Sequence, residues 1–341
     1  MNEFIDYVRS LPKAELHLHI EGTLEPAMLM NLAAKHQVDL PYSTAADVER
    51  AYDFADLQSF LDLYYLGASV LVDEDDFYSL MFRYLERCRD EGIVHTEMMF
   101  DPQTHTERGI SFHVFMSGFG QAMDEAKRQW GQSSSLIMCF LRHLPEESAF
   151  ETLKAAEPFK SQIMSVGLDS SELGHPPEKF ERVYVAAGEQ GYRLVAHAGE
   201  EGPSTYIVDA LDRLKVERID HGVRCMEDEE LVERLVKAQT PLTVCPLSNV
   251  RLRVFETMVE HPIRQMLERG LNVTVNSDDP PYFGGYLLDN FEALHRELGL
   301  TMEDARHLAV NSIRSSFIDE VSCKAWLDQL SVPAPTPTPT P

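Results

Sequence analysis

The chain is short of positive charge: 30 Lys and Arg stand against 56 Asp and Glu in 341 residues, a formal net charge of -26. DNA, RNA and anionic membrane surfaces are therefore unfavourable partners, whereas a small neutral or cationic ligand is compatible. No apolar run approaches the roughly 18–20 uninterrupted residues of a membrane span. The opening residues, Met1-Asn2-Glu3-Phe4-Ile5-Asp6, lack the basic region and apolar run of a secretory signal, so a cytoplasmic location is expected. Cysteine is scarce. The five present (Cys88, Cys139, Cys225, Cys245, Cys323) are odd in number and unpaired in spacing, which reads as buried free thiols in a reducing compartment. Glycine-rich phosphate loops and dinucleotide fingerprints are absent. So is the Pro-Cys-X-X-Cys that must accompany a motif such as His95-Thr96-Glu97 in one class of zinc enzymes acting on single-stranded nucleic acid.

What is present is an ordinary globular composition, 44% hydrophobic and 25% charged, with a repeated alternation of strand-like and helix-like segments. Glu15 to Ile20 alternates, with the leucines on one face and His17 and His19 on the other, bounded by Pro12 and Gly22. Further strand-like runs are 94–100, 136–141, 163–168, 193–196, 218–220, 242–245 and 271–275, eight in all. Helix-period segments such as 177–190 and 228–238 join the later ones. This order predicts βαβ units and a closed (β/α)₈ barrel, one domain over residues 1–330. The link from Gly22 to Gly92 is long and carries Phe54, Leu57, Phe60 and Leu61 at helical spacing. It reads as a helical insertion at the barrel mouth, where a lid would sit, although core packing alone would produce the same stripe. Residues 286–330 read as extra C-terminal helix throughout, with Thr301 and Asp304 resembling a capping box, and 331–341 as a disordered Pro/Thr tail.

Polar residues gather at the predicted C-terminal strand ends. His17 and His19 lie two apart on one strand face; His197 ends 193–196; His221 ends 218–220. Asp278 and Asp279 follow the last strand in Asn276-Ser277-Asp278-Asp279-Pro280-Pro281. In a barrel these ends open on one face, where three neutral imidazoles and a carboxylate form a good donor set for Zn²⁺, with water completing the coordination. Taken singly, each has a plainer reading. A His-X-His pair can be a polar strand face, a lone histidine a structural one, Glu200 a helix N-terminal acid, and Asp-Asp-Pro a turn. Their joint placement favours the metal site.

Five motifs, in order over roughly residues 8 to 320, resemble the adenosine/adenine deaminase family. They are 12–22 (PKAELHLHIEG), His197-Ala198-Gly199-Glu200, Asp220-His221-Gly222, Cys245-Pro246-Leu247-Ser248-Asn249 and Asn276-Ser277-Asp278-Asp279-Pro280. The resemblance implies a barrel with one zinc per subunit that hydrolytically removes the 6-amino group of a purine. By motif, His17, His19, His197 and Asp278 would hold the zinc. Glu200 would donate a proton to purine N1, His221 would orient or deprotonate the attacking water, and Asp279 would bind the ring at N7. The fourth strand, 163–169, carries no lysine to bridge a second metal.

Two departures point to the free base. Glu21 stands where nucleoside enzymes usually carry the aspartate that meets ribose, and Asp169-Ser170-Ser171-Glu172 replaces their Gly-Asp-Glu. Glu21 and Ser171, in the Ser170–Glu172 segment, are therefore expected to exclude the sugar, one of them meeting the N9 edge; Ser248-Asn249-Val250-Arg251-Leu252 also resembles adenine deaminases. The expected reaction is adenine to hypoxanthine and ammonia, in purine salvage and nitrogen use, by a protein whose partner is a small purine base and which is compatible with a homo-oligomer. The alternatives are adenosine deamination, another mononuclear zinc amidohydrolase, and a non-catalytic barrel that keeps zinc for stability.

Overall fold

The computed structural model describes residues 3–331; the Pro/Thr tail beyond Ser331 lies outside them. Eight strands run in order: β1 (Lys13–Glu15), β2 (Ile93–Phe100), β3 (Ser133–Leu141), β4 (Ile163–Asp169), β5 (Arg193–Ala198), β6 (Arg218–His221), β7 (Leu242–Val244) and β8 (Val273–Val275). Each pairs in parallel with the next. A parallel bridge between Leu18 and Asp278 joins the last to the first. The expected (β/α)₈ barrel is thus present, because parallel neighbours need crossover connections and those segments are helical here.

The first strand is shorter than its alternation predicts. Its regular ladder covers only Lys13–Glu15, and the chain beyond is held by single bridges, Leu18 to Asp278 and His19 to Met99. The backbone there bonds to its two neighbours by turns: His19 N–H to the Asp278 carbonyl at 3.0 Å and Ile20 N–H to the Met99 carbonyl at 2.9 Å. His17 and His19 are still carried at the mouth by extended chain, wedged between β2 and the end of β8.

The 22–92 insertion is helical, as its periodicity predicts: Pro26–His36, Ala45–Arg50, Leu57–Ala68 and Glu74–Glu91. Capping boxes at Thr44, Asp56 and Asp73 start the last three, each serine, threonine or aspartate side chain accepting an otherwise unpaired first-turn N–H. Leu57, Phe60 and Leu61 face the cavity at the mouth, while Phe54 packs behind them on Phe60 and Phe283. The stripe serves both as lid surface and as core.

Beyond β8 the chain is not helical throughout. Three helices, Leu287–Leu298, Met302–Ser315 and Glu320–Leu330, are separated by breaks. Gly299, at φ 66°, closes the first, and the Thr301–Asp304 capping box opens the second. The second break, 316–319, carries Phe317 against the barrel floor, beside Met99, Ile137, Cys139 and Val195. Among the described residues no helix is long and apolar enough to cross a membrane.

Candidate active site

Because the strands are parallel, the residues at or just past their C-terminal ends share one face. His221 and Asp278 reach it in left-handed backbone, at φ 63° and 64°. Each such residue costs about 1–3 kcal/mol, a strain found at sites where the surrounding structure over-determines the geometry. His17 Nε2 and His19 Nε2 stand 3.3 and 3.5 Å from Asp278 Oδ1. His19 Nε2 is 3.3 Å from His197 Nε2. One tight group is His17, His197, His221 and Asp278, and His19 forms a second with Asp278 and Asp279.

The rear nitrogens of the rings explain the convergence. His17 Nδ1 lies 3.0 Å from the Thr243 hydroxyl, which itself donates to Asp220 Oδ1 at 2.8 Å. His19 Nδ1 faces Asp169 at 3.5 Å, and His197 Nδ1 faces Asp220 at 3.8 Å. The rear hydrogen bond holds a proton on His17 Nδ1 and turns its Nε2 lone pair inward, and carboxylates stand behind the other two rings, as in metal sites whose imidazoles are oriented by outer carboxylates. His17 Nε2 is buried and has no hydrogen-bond partner. Burial, then the neighbouring imidazoles, holds His197 neutral. Burial also opposes charge on Asp278, but His17, His221 and His19 outweigh it and keep its carboxyl well below the usual range. Asp278 in turn outweighs burial at His17 and raises it; imidazole nitrogens converging on an ionised carboxylate are a donor set that fits a divalent metal ion.

Two carboxyl groups flank this cluster. Glu200, just past β5, is buried, and its carboxyl is pushed far up by burial and then by Asp278, toward the neutral acid. Its Oε2 lies 3.6 Å from His221 Nε2, and its Oε1 has no partner. Glu172 pins the segment that carries it, accepting the N–H groups of Gly199, Glu200, Glu201 and Gly202 at 2.7, 3.1, 2.8 and 2.7 Å. Asp279 is raised in the same way by burial and Asp278, with Oδ1 unpartnered. Gly22 lies against it: a Cβ there would fall 1.8 Å from that oxygen.

His221 is oriented from behind by a relay. Ile263 N–H donates to His261 Nδ1 at 3.2 Å, leaving His261 Nε2–H to donate to Asn249 Oδ1 at 3.1 Å. The Asn249 amide then offers its N–H to His221 Nδ1 at 3.4 Å. Burial pushes His261 down to about 3, so it stays neutral at physiological pH. The relay leaves the His221 proton on Nε2, the nitrogen that faces Glu200 and Asp278.

These groups open on a small cavity at the barrel mouth. The profile of the adenosine deaminase family matches residues 12–332. The chain belongs to the adenosine deaminase family. A relative from Acinetobacter baylyi named adenine deaminase is 55% identical over 326 residues, 96% of this chain and 98% of that protein. Another of that name, from Ectopseudomonas mendocina, is 58% identical over 308 residues, 90% of this chain and 98% of its own. The crystal structure of adenine deaminase from Arthrobacter aurescens superposes with a TM-score of 0.93 at 50% identity, covering 94% of this chain and 98% of that one.

Of the site residues drawn from the family motifs, seven meet at the mouth: His17, His19, His197, Glu200, His221, Asp278 and Asp279. Two others sit elsewhere. Glu21 is buried behind the cavity wall, where it accepts from His105 Nε2 at 2.7 Å and from the Asp101 N–H at 3.2 Å. Ser171 turns outward and donates to Gln58 at 2.8 Å. Its neighbour Ser170, at φ 74°, faces the cavity instead, its hydroxyl 2.8 Å from both the Tyr65 hydroxyl and His143 Nδ1. Asp101 and Asp169, which also line the cavity, were reachable from the sequence by the strand-end rule that found Asp278: one follows β2, the other ends β4. Glu172, Thr243 and His261 carry no such local mark.

Proposed function

We propose that this protein hydrolyses adenine to hypoxanthine and ammonia, with one zinc ion per subunit held by His17, His19, His197 and Asp278. The observation that carries the reading is a carboxyl group, Glu200, buried beside the imidazole–carboxylate cluster in a small cavity, its Oε2 3.6 Å from His221 Nε2, where burial favours its neutral form. The names of its relatives agree with it. Zinc, when bound, lowers the pKa of water from about 15.7 to about 7 and so supplies a nucleophile at neutral pH.

The chain's own residues do the rest. Addition of water at C6 drives an electron pair from the C6–N1 bond onto N1, and the Glu200 proton neutralises it there. His221, presenting Nε2–H, orients the water, and the now ionised Glu200 can carry a water proton to the departing amine. The C6–N bond breaks, ammonia leaves and the 6-oxo base remains. Asp279, held protonated, donates to N7. Phe60 and Leu61 give the ring an apolar wall and exclude bulk water. A cytoplasmic place in purine salvage suits this chemistry and the strongly acidic chain.

The test compares kcat/KM for adenine and adenosine, with metal content measured on the same sample. A preference for adenine of 10²-fold or more is expected. Equal values, or a preference for adenosine, would overturn the free-base reading; a metal-replete sample that converts neither would overturn the deaminase.

A further inference from the structure

We propose that Asp101 is the residue that selects the free base, its carboxylate accepting the N9–H that only an unsubstituted purine carries. The inference rests on the adenine reading above and adds the group that discriminates.

Asp101 stands directly after β2, is 2% exposed and lines the cavity. Its two oxygens are not equivalent. Oδ2 accepts from the Tyr64 hydroxyl of the Leu57–Ala68 helix at 3.2 Å, whereas Oδ1 is buried and receives no N–H or hydroxyl group among the described residues. The carboxylate's other neighbour is the Asp169 carboxyl, whose proton it accepts. Its backbone N–H is anchored on Glu21, which His105 ties down in turn. Glu21, one residue beyond the mouth strand and itself off the cavity wall, thus acts by fixing Asp101.

Position relative to the reacting centre follows from the His19 ring. Its Nε2 faces Asp278, and its Nδ1 faces Asp169, which lies beside Asp101. Asp101 is therefore across that ring from the hydrolytic cluster. A purine with C6 at the cluster, N1 at Glu200 and N7 at Asp279 has one edge left, N3–C4–N9, and it points away from the cluster. At that end the wall offers Asp101 Oδ1, an acceptor with a lone pair to spare beside the Asp169 carboxyl, next to the Ser170 and Tyr65 hydroxyls. Adenine brings N9–H as a donor and N3 as an acceptor. An N9 substituent removes the donor, adds bulk, and leaves a buried oxygen unpaired, which is how sites built around a hydrogen bond reject analogues strongly.

The experiment crosses a change in the ligand with a change in the residue. Wild type, Asp101→Ala and Asp101→Asn, each metal-loaded, are assayed on adenine and on 9-methyladenine. Wild type is expected to favour adenine by at least 10²-fold in kcat/KM. Asp101→Ala should lose most of its rate on adenine and little on 9-methyladenine, so that the ratio collapses to within about tenfold. Asp101→Asn keeps the volume and a partner for Tyr64, and should narrow the ratio partway even if the alanine variant does not fold. A purely structural role lowers both substrates alike and preserves the ratio; that result overturns the assignment. Wild-type turnover of adenine with an unchanged ratio in the variants removes Asp101 alone, whereas no wild-type turnover of adenine removes the proposed function as well.

Discussion

Arg218 and His221 stand three residues apart on β6, both fully buried, and they belong to opposite kinds of chemistry. At the floor, Arg218 binds Glu97 at 2.7 Å and the Leu16 carbonyl at 3.2 Å, with the Phe317 ring 4.8 Å away. Glu97 also receives His95 and the Phe317 N–H. Burial alone would raise its carboxyl, but Arg218 and His95 bring it down to about 2. At the mouth, burial is just as deep and Glu200 and Asp279 are pushed up, each with an oxygen that receives no N–H or hydroxyl group among the described residues. Partnership, not depth, separates a stabilising acid from a reactive one. Both oxygens of the floor acid Glu97 are paired, whereas each mouth acid keeps one oxygen open for a ligand.

Glu200→Gln should break the mouth and spare the floor. We expect kcat to fall by about 10²–10⁴-fold, the usual contribution of a general acid, with metal content and adenine binding retained; wild-type turnover would remove Glu200 as the proton donor. Glu97→Gln should do the reverse. Leaving Arg218 buried and unpaired costs about 3–5 kcal/mol, read as a lower urea midpoint, while kcat of the folded fraction is kept. A variant as stable as wild type would show that the floor pair is dispensable.

The floor also predicts a pH dependence. The folded carboxyl of Glu97, at about 2, lies below its ordinary 4.5. Its stabilisation is complete above the unfolded value and is lost as pH falls from about 4.5 through about 2. Acid titration of the unfolding free energy should therefore be shallower in Glu97→Gln than in wild type over that window, and parallel curves would contradict the pairing. The smallest effect should come from the relay behind His221. Asn249→Leu should lower kcat by roughly tenfold, the scale of outer positioning groups, with KM and metal content little changed. A drop in metal content instead would make Asn249 part of the metal site's support.

Both ends hold residues that sequence reading placed well and residues it did not. His17, His19, His197, His221 and Asp278 were legible because strand-end positions follow from local alternation. His95 and Glu97 looked like half of a catalytic motif and are structural, since Arg218, 121 residues beyond Glu97, neutralises the acid. Glu21 was expected to meet the ligand and is turned aside by His105, 84 residues on. The extra C-terminal helices expected over 286–330 are present, but the chain is not helical throughout: at 316–319 it departs to bring Phe317 to Glu97 and Arg218.

The barrel, the helical insertion and the ring of imidazoles at one mouth were written in the order of residues, because two-residue and 3.6-residue periods are local properties. Which acids are satisfied was settled only by folding. A carboxyl's proton affinity depends on groups within a few ångströms, and here those arrive from distant segments: His105 for Glu21, Arg218 for Glu97, and Tyr64 and Asp169 for Asp101.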